Sequence, residues 1–394
     1  MFRAYKFLLR PTSKQADALT ACLEDTRQLY NAALEERREA WRMRKVPLSF
    51  YRQDAQLKEI RRDDPDRYGR WAFSCERAAL RRLDRAFAAF FRREKAGETP
   101  GYPRFKGLGW FDSVEWEHVH GSKWDSDPRG SVTRVYLLGI GHVRVHQHRP
   151  VEGTVKTVTA KREGRRWYVV LSCDDVSAQP LPATGAVVGI DLGVTHLLTT
   201  SDGTHVPNPR HFAATAMGLA VAQQSLSRKK RGSNRRRKTV PLVAAHHRKV
   251  RRSRLDYAHK TALKLVRDHD VIVHEALKIA NMVRRPKPRL AGDGTYAPNG
   301  AAAKTGLNRS IHDAGWGVFL TILAAKAESA GRVVIAVDPR NTSRTCSRCG
   351  HCAKGNRVTQ AGFRCLACGH EAHADVNAAI NILRSGLDRQ ANAA

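Results

Sequence analysis

Two cysteine pairs near the C-terminal end carry the sharpest chemical pattern in the chain. Cys346/Cys349 lie in CSRC and Cys365/Cys368 in CLAC, with 15 residues between the pairs. Pairs two residues apart at such a separation suit four thiolates around one Zn2+ ion. Each pair is followed by Gly-His, and the glycine lets a knuckle turn so that backbone amides point at sulfur. Cys352 forms a rival pair with Cys349, but no matching cysteine follows Cys368. A closed four-cysteine site folds a small unit and leaves no position for a substrate, so activity must be sought elsewhere.

Three acids offer a second chemistry. Asp191 ends the apolar run AVVGID, Glu275 ends VIVHE, and Asp375 opens the helical stretch HADVNAAINIL. Carboxylates fixed at strand and helix ends can converge on two divalent cations, the arrangement that clamps the attacking and leaving oxygens in phosphodiester hydrolysis. Each acid alone has a plainer reading: a turn residue for Asp191, a cap or helix-dipole partner for Asp375. GIDLG also looks like the first phosphate loop of the actin, hexokinase and heat-shock ATPase superfamily. That reading requires a second phosphate loop and an adenosine loop. SDG at 201–203 is too close to serve, and the ATPase reading leaves the cysteine pairs and the charge unexplained.

The charge is extreme: 69 Lys and Arg against 37 Asp and Glu give +32. Such an imbalance points to a polyanion, with nucleic acid held through its phosphates. The stretch 228–254 concentrates it, with thirteen basic residues and no acid. Its candidate phosphate contacts are Arg228, Lys229, Lys230, Arg231, Arg235, Arg236, Arg237, Lys238, Arg251, Arg252 and Arg254. Trp71, Tyr102, Phe105 and Trp110 sit among basic residues and suit either base stacking or a core. No run of about 18 apolar residues could span a bilayer. The N-terminus is too charged for a signal peptide. The expected location is therefore the cytoplasm, at the nucleoid of a bacterium.

The elements that position these residues follow from periodicity. FRAYKFLLR (2–10) reads as a strand. Thr12 and Gln15 stand at capping-box spacing before a helix with Leu19, Leu23, Leu29 and Leu34 on one face. A second helical run ends at Gly97. Four β-like runs between 111 and 174 (SVTRVYLL, GHVRVHQH, TVKTVTAKR, RWYVVLSC) suggest a small antiparallel barrel. The stretch 177–185 reads as a linker. Hairpin strands over 186–206 then lead into helices, a strand at 270–277, a helix at 310–330, a strand at 332–338 and a last helix at 374–384. This order describes an α/β sheet with helices on its faces.

With these blocks in place, the chain resembles the TnpB (OrfB) family of insertion-sequence-encoded RNA-guided DNA endonucleases, relatives of compact type V CRISPR effectors. RQLYNAAL (27–34), YPRFKG (102–107), GIDLGV (189–194), RLDYAHK (254–260), HEALKIANM (274–282), DPRNTSRTCSRCGH (338–351) and FRCLACGHEAHADVNAAINIL (363–383) occur in family order across nearly the whole chain. The resemblance implies an α/β multidomain protein. An antiparallel β-barrel wedge domain (first strand 1–10, barrel 98–180) is interrupted by a helical recognition lobe (11–97). A ribonuclease H-like (RuvC) nuclease domain (181–340, final helix and tail 372–394) carries an inserted zinc module (341–371).

The same resemblance implies that Asp191, Glu275 and Asp375 hold two Mg2+ ions, and that Cys346, Cys349, Cys365 and Cys368 hold one Zn2+. The implied partners are a guide RNA from the transposon end and double-stranded target DNA, bound by a monomer. Two departures stand out. Ala374 occupies a position where many relatives carry Arg before the last acid, and Leu366 replaces a common Pro. Residues 283–306 read as a long Pro/Gly/Ala-rich loop, a segment that can act as a lid in relatives. A compact CRISPR effector shares every residue argued above. A nuclease-inactive repressor requires a broken acid set, and a strand-joining transposase requires activity without a guide.

Overall fold

The computed structural model describes residues 1–125 and 132–392 and divides into two compact units, Met1–Ser177 and Ala178–Ala394. In the first unit, β1 (Arg3–Arg10) precedes three helices: α1 (Ser13–Arg44), α2 (Phe50–Asp63) and α3 (Phe73–Lys95). Six further strands follow: β2 (Ser113–His118), β3 (Gly121–Lys123), β4 (Arg134–Leu137), β5 (Gly141–His146), β6 (Thr154–Glu163) and β7 (Arg166–Asp174). The strands close into a barrel in the order β1-β5-β4-β3-β2-β6-β7. Strand β1 thus pairs with two strands that follow the helices, through Leu9↔Val145 and Phe7↔Val169.

One pair departs from the antiparallel expectation: β2 and β3 pair in parallel, Glu117↔Gly121. Only two residues separate them, and Gly121 adopts φ 126° there, with the Ala72 side chain occupying the space a Cβ would need. Ser131 of the expected strand SVTRVYLL and the last two residues of the expected tail lie outside the described residues.

Alternation along β1 sends Tyr5, Phe7 and Leu9 into the barrel. The capping box at the start of α1 forms as its spacing suggests. The Gln15 amide donates to Thr12 Oγ1 at 3.3 Å, and the Thr12 amide donates to Gln15 Oε1 at 3.1 Å. Leu19, Leu23, Leu29 and Leu34 are all buried. Buried Asp25 of α1 holds the connection between α2 and α3, accepting from Arg67 Nε (2.9 Å), an Arg70 guanidinium nitrogen (3.0 Å) and Trp71 Nε1 (2.9 Å).

The second unit opens with residues bonded to a helix end rather than a free linker. The Gln179 and Leu181 amides donate to the carbonyls of Ser329 and Ala330. Strands β8 (Val187–Leu192), β9 (His196–Thr200) and β10 (His205–Pro207) form an antiparallel run. Helices α4 (His211–Ser227) and α5 (Asn234–Asp268), strand β11 (Val271–Glu275), helix α6 (Ile279–Met282), the short hairpin β12 (Arg289–Leu290) and β13 (Tyr296–Ala297), and helices α7 (Ala301–Ala314) and α8 (Trp316–Ala330) follow. Then come β14 (Val333–Val337), β15 (Gly362–Arg364), β16 (Glu371–His373) and α9 (Ala374–Ala391).

The sheet order is β10-β9-β8-β11-β14, with β8, β11 and β14 parallel. Neighbouring residues of β11 enter different cores. Ile272 joins Leu265 of α5 and Phe319 of α8, whereas Val273 meets Ile382 of α9. Helices therefore cover both faces. No helix among the described residues is long and apolar enough to cross a membrane.

Two expectations need correction. The helix at 310–330 is two helices, because Gly315 takes a left-handed φ of 72° between α7 and α8. The stretch 283–306 is not one loop, since it contains the β12–β13 hairpin and the first turns of α7.

Candidate active site and metal centre

The sheet and α9 bring the three acids to one place. Asp191 lies near the end of β8, opposite Thr199 of β9, and Glu275 ends β11 beside Val337. Asp375 is the second residue of α9, where its amide donates to Nδ1 of the capping His373 at 3.3 Å. Two glycines let α9 approach closely enough. A Cβ on Gly189 of β8 would stand 2.2 Å from the Ala379 carbonyl oxygen, and one on Gly386 of α9 would stand 2.4 Å from Val273 Cγ1. All three acids line a cleft of about 350 Å³ shared with Trp316, Thr342 and Arg357.

The electrostatics are those of crowded acids. Burial, then the nearby Glu275 and Asp375 carboxylates, push Asp191 up to about 8, against the pull of Arg357. Burial also raises Glu275, opposed by a hydrogen bond from the Thr342 hydroxyl at 2.6 Å. An Arg357 guanidinium nitrogen stands 3.3 Å from Asp375 Oδ1. Three half-buried acids facing one arginine carry more negative charge than their surroundings neutralise. The donor set is therefore one that fits divalent cations.

Neither Arg357 nor Thr342 was singled out in the sequence. Both lie in the cysteine segment, Thr342 67 residues from Glu275 and Arg357 18 residues from Asp375. Arg357 brings a positive charge to Asp375 from an element other than α9.

The cysteines converge more tightly. The Sγ atoms of Cys346, Cys349, Cys365 and Cys368 all lie within 4.8 Å of one another, the one such group of three or more donors among the described residues. Cys346 to Cys368 is 3.8 Å and Cys349 to Cys365 is 3.6 Å. Tetrahedral thiolates about 2.3 Å from zinc stand about 3.8 Å apart, so the set fits Zn2+. Cys352 is outside it. The knuckles match: the Gly350 amide donates to the Cys346 carbonyl and the Gly369 amide to the Cys365 carbonyl, both at 3.0 Å. Gly350 and Gly369 have φ 77° and 70°, a turn that residues with a side chain adopt poorly.

The basic stretch forms the connection between α4 and α5 and much of α5. Arg228, Lys230, Arg231, Arg235, Arg237, Lys238, Arg251 and Arg252 are exposed. Lys229, Arg236 and Arg254 are half-buried and engaged. Lys229 bonds Ser225 and Thr239, Arg236 donates to the Leu226 carbonyl, and Arg254 pairs with Asp313 at 2.7 Å. The aromatics also separate. Trp71 is core, Tyr102 packs edge-on against Phe87 and Phe90, Phe105 lies under Arg38, and Trp110 is 81% exposed.

Comparison with known proteins places this architecture. Over 98% of this chain and 92% of the other, the fold is similar to that of the mini-RNA-guided endonuclease CRISPR-Cas_phi3, with a TM-score of 0.50 at 11% identity. The class is thus that of the compact CRISPR effector fold.

Sequence narrows it further. The chain is 34% identical to a protein of Escherichia coli (strain K12) named "Putative RNA-guided DNA endonuclease InsQ", over 98% of its own length and 92% of that protein. It is 32% identical to a protein named for the same activity in Streptomyces pristinaespiralis, over 98% and 89%. Family profiles match residues 155–285 (OrfB_IS605, "Probable transposase"), 316–382 (Cas12f1-like, TNB domain) and 1–45 ("Helix-turn-helix domain"). The last span is here one strand followed by the whole of a single 32-residue helix. The chain belongs to the TnpB (OrfB) family encoded by insertion sequences.

Proposed function

We propose that this protein is an RNA-guided, metal-dependent DNA endonuclease encoded by an insertion sequence. Its second unit is read as a ribonuclease H-like (RuvC) nuclease carrying a zinc module at 341–371, and its first as a wedge barrel (1–10 and 98–180) with a helical lobe at 11–97. The observation that carries the proposal is the convergence of Asp191, Glu275 and Asp375 in one cleft, from β8, β11 and α9.

These three residues would hold two Mg2+ ions, which when bound activate a water and stabilise the departing 3′ oxygen. The chain's own residues prepare that chemistry. Asp191 keeps a proton at neutral pH and must release it as cations enter. Arg357 presents guanidinium N–H groups beside Asp375, where a phosphate oxygen can accept them. Trp316 anchors the turn after Asp191 by donating Nε1–H to the Gly193 carbonyl at 3.2 Å. Cys346, Cys349, Cys365 and Cys368 would hold one Zn2+, which would fold the knuckles and leave no open position for a reacting group.

The partners follow from charge and family. A guide RNA from the transposon end lies along the basic surfaces, and double-stranded DNA is recognised by a short adjacent motif and then by guide pairing. The exposed basic residues of the α4–α5 connection supply phosphate contacts, which fix position rather than sequence. The protein acts as a monomer with its RNA in the cytoplasm, at the nucleoid.

The test uses purified protein, copurifying RNA and guide-matched DNA in Mg2+. Asp191→Ala and Glu275→Ala are expected to abolish cleavage while leaving RNA binding unchanged. Cleavage by Asp191→Ala at the parent rate removes the catalytic assignment.

A further inference from the structure

We infer that Thr342, in the stem leading into the first cysteine knuckle, is a positioning residue for Glu275. It makes the four-cysteine module part of the carboxylate site's support. The inference rests on the nuclease reading given above.

Thr342 is 7% exposed, and its hydroxyl donates to Glu275 Oε1 at 2.6 Å. A hydroxyl has one proton to give, and the other acceptor within reach, the Pro339 carbonyl, is farther at 3.1 Å. The contact fixes the rotation of the Glu275 carboxylate. It leaves Oε2 and the remaining lone pair of Oε1 for a cation.

The stem itself is held by α9. Asn381 Nδ2 donates to the carbonyls of Thr342 (2.9 Å) and Thr345 (2.7 Å). Asn377 Nδ2 donates to the Thr345 carbonyl at 2.8 Å, and its Oδ1 accepts the Ser347 amide at 2.9 Å. Asn377 is fully buried, and its spacing of four from Asn381 puts both amides on one helix face. Asp375 begins the same helix. One element therefore delivers the third acid and, through two asparagines, the stem that aims the second. The pattern is that of a hydrogen-bond donor behind a metal-ligating carboxylate, where loss of the donor weakens metal affinity or activity by about 10–100-fold.

The experiment compares Thr342→Val, which keeps shape and removes the donor, with Thr342→Ser, which keeps the donor. Mn2+ binding to the zinc-loaded protein is read directly by electron paramagnetic resonance, and cleavage is titrated with Mg2+. Thr342→Val is expected to weaken Mn2+ binding by about 10–100-fold and to raise the Mg2+ concentration for half-maximal cleavage in parallel. Excess Mg2+ should recover its rate, RNA affinity and thermal midpoint should hold, and Thr342→Ser should restore binding. Unchanged Mn2+ affinity in Thr342→Val overturns the inference, as does equal loss in both variants, which would assign the effect to packing. Either result leaves the nuclease reading standing if Asp191→Ala is inactive. An active Asp191→Ala sinks that reading independently.

Discussion

If the proposed metal site is right, a cation at Asp191 has to replace a proton, and that exchange has a definite sign. Its folded value of about 8 lies above the ordinary 3.8, so between these values the folded chain binds a proton that the unfolded chain has lost. Without metal, the stability this group contributes is fully present below about 3.8 and is lost as pH rises through about 8. With metal the trend reverses, because cations compete with fewer protons at higher pH. The increase in melting temperature caused by saturating Mg2+ should therefore be larger at pH 8.5 than at pH 6, and Asp191→Asn should flatten the difference. An equal shift at both pH values would show that no proton is displaced. The cysteines could be read from sequence because CxxC spacing carries its own geometry. Arg357 and Thr342 could not, because their meaning comes from touching Asp375 and Glu275 across the fold.

At the scale of elements, the position of α9 decides whether three acids make one site. Gly189 and Gly386 set the helix against β8 and β11 with no room for a side chain. Gly189→Ala must push backbone atoms apart, and overpacking of this kind costs about 1–3 kcal/mol. Urea unfolding should report that loss in the second unit, with cleavage falling alongside it. Gly306→Ala on α7, where a Cβ meets nothing within 4 Å, is the control and should be neutral or slightly stabilising. A Gly189→Ala protein as stable as the control would show that the helix does not depend on that contact. Element types were largely legible from periodicity, as the formed capping box of Thr12 and Gln15 shows. The break at Gly315 was missed because apolar periodicity runs on from α7 into α8 while the backbone turns left-handed between them. The hairpin within 283–306 was missed because two-residue strands carry no period.

For the whole molecule, a net charge of +32 makes affinity for RNA a function of salt. Each phosphate contact removed should flatten the plot of log affinity against log salt by about 0.7 to 0.9. Replacing Arg235, Arg237 and Lys238 together by Ala is expected to reduce that slope by about 2 in filter binding, with no change in which guide is retained. An unaltered slope would remove this surface from the RNA path. The partner class was legible from composition, but composition could not say which charges were available. Arg254 proved committed to Asp313, while Arg235 and Arg237 are exposed.

The order of elements along the chain has a consequence in time. The sheet strands bearing Asp191 and Glu275 are synthesised first, and α9, with Asp375, emerges one hundred residues after Glu275. At roughly 5–20 residues per second, the third carboxylate trails the second by roughly 5–20 s. Throughout that interval the basic residues of the α4–α5 connection are already made. A growing chain thus carries this exposed basic surface before all three acids are made, and on the proposed reading RNA could be loaded while the nuclease site is still incomplete.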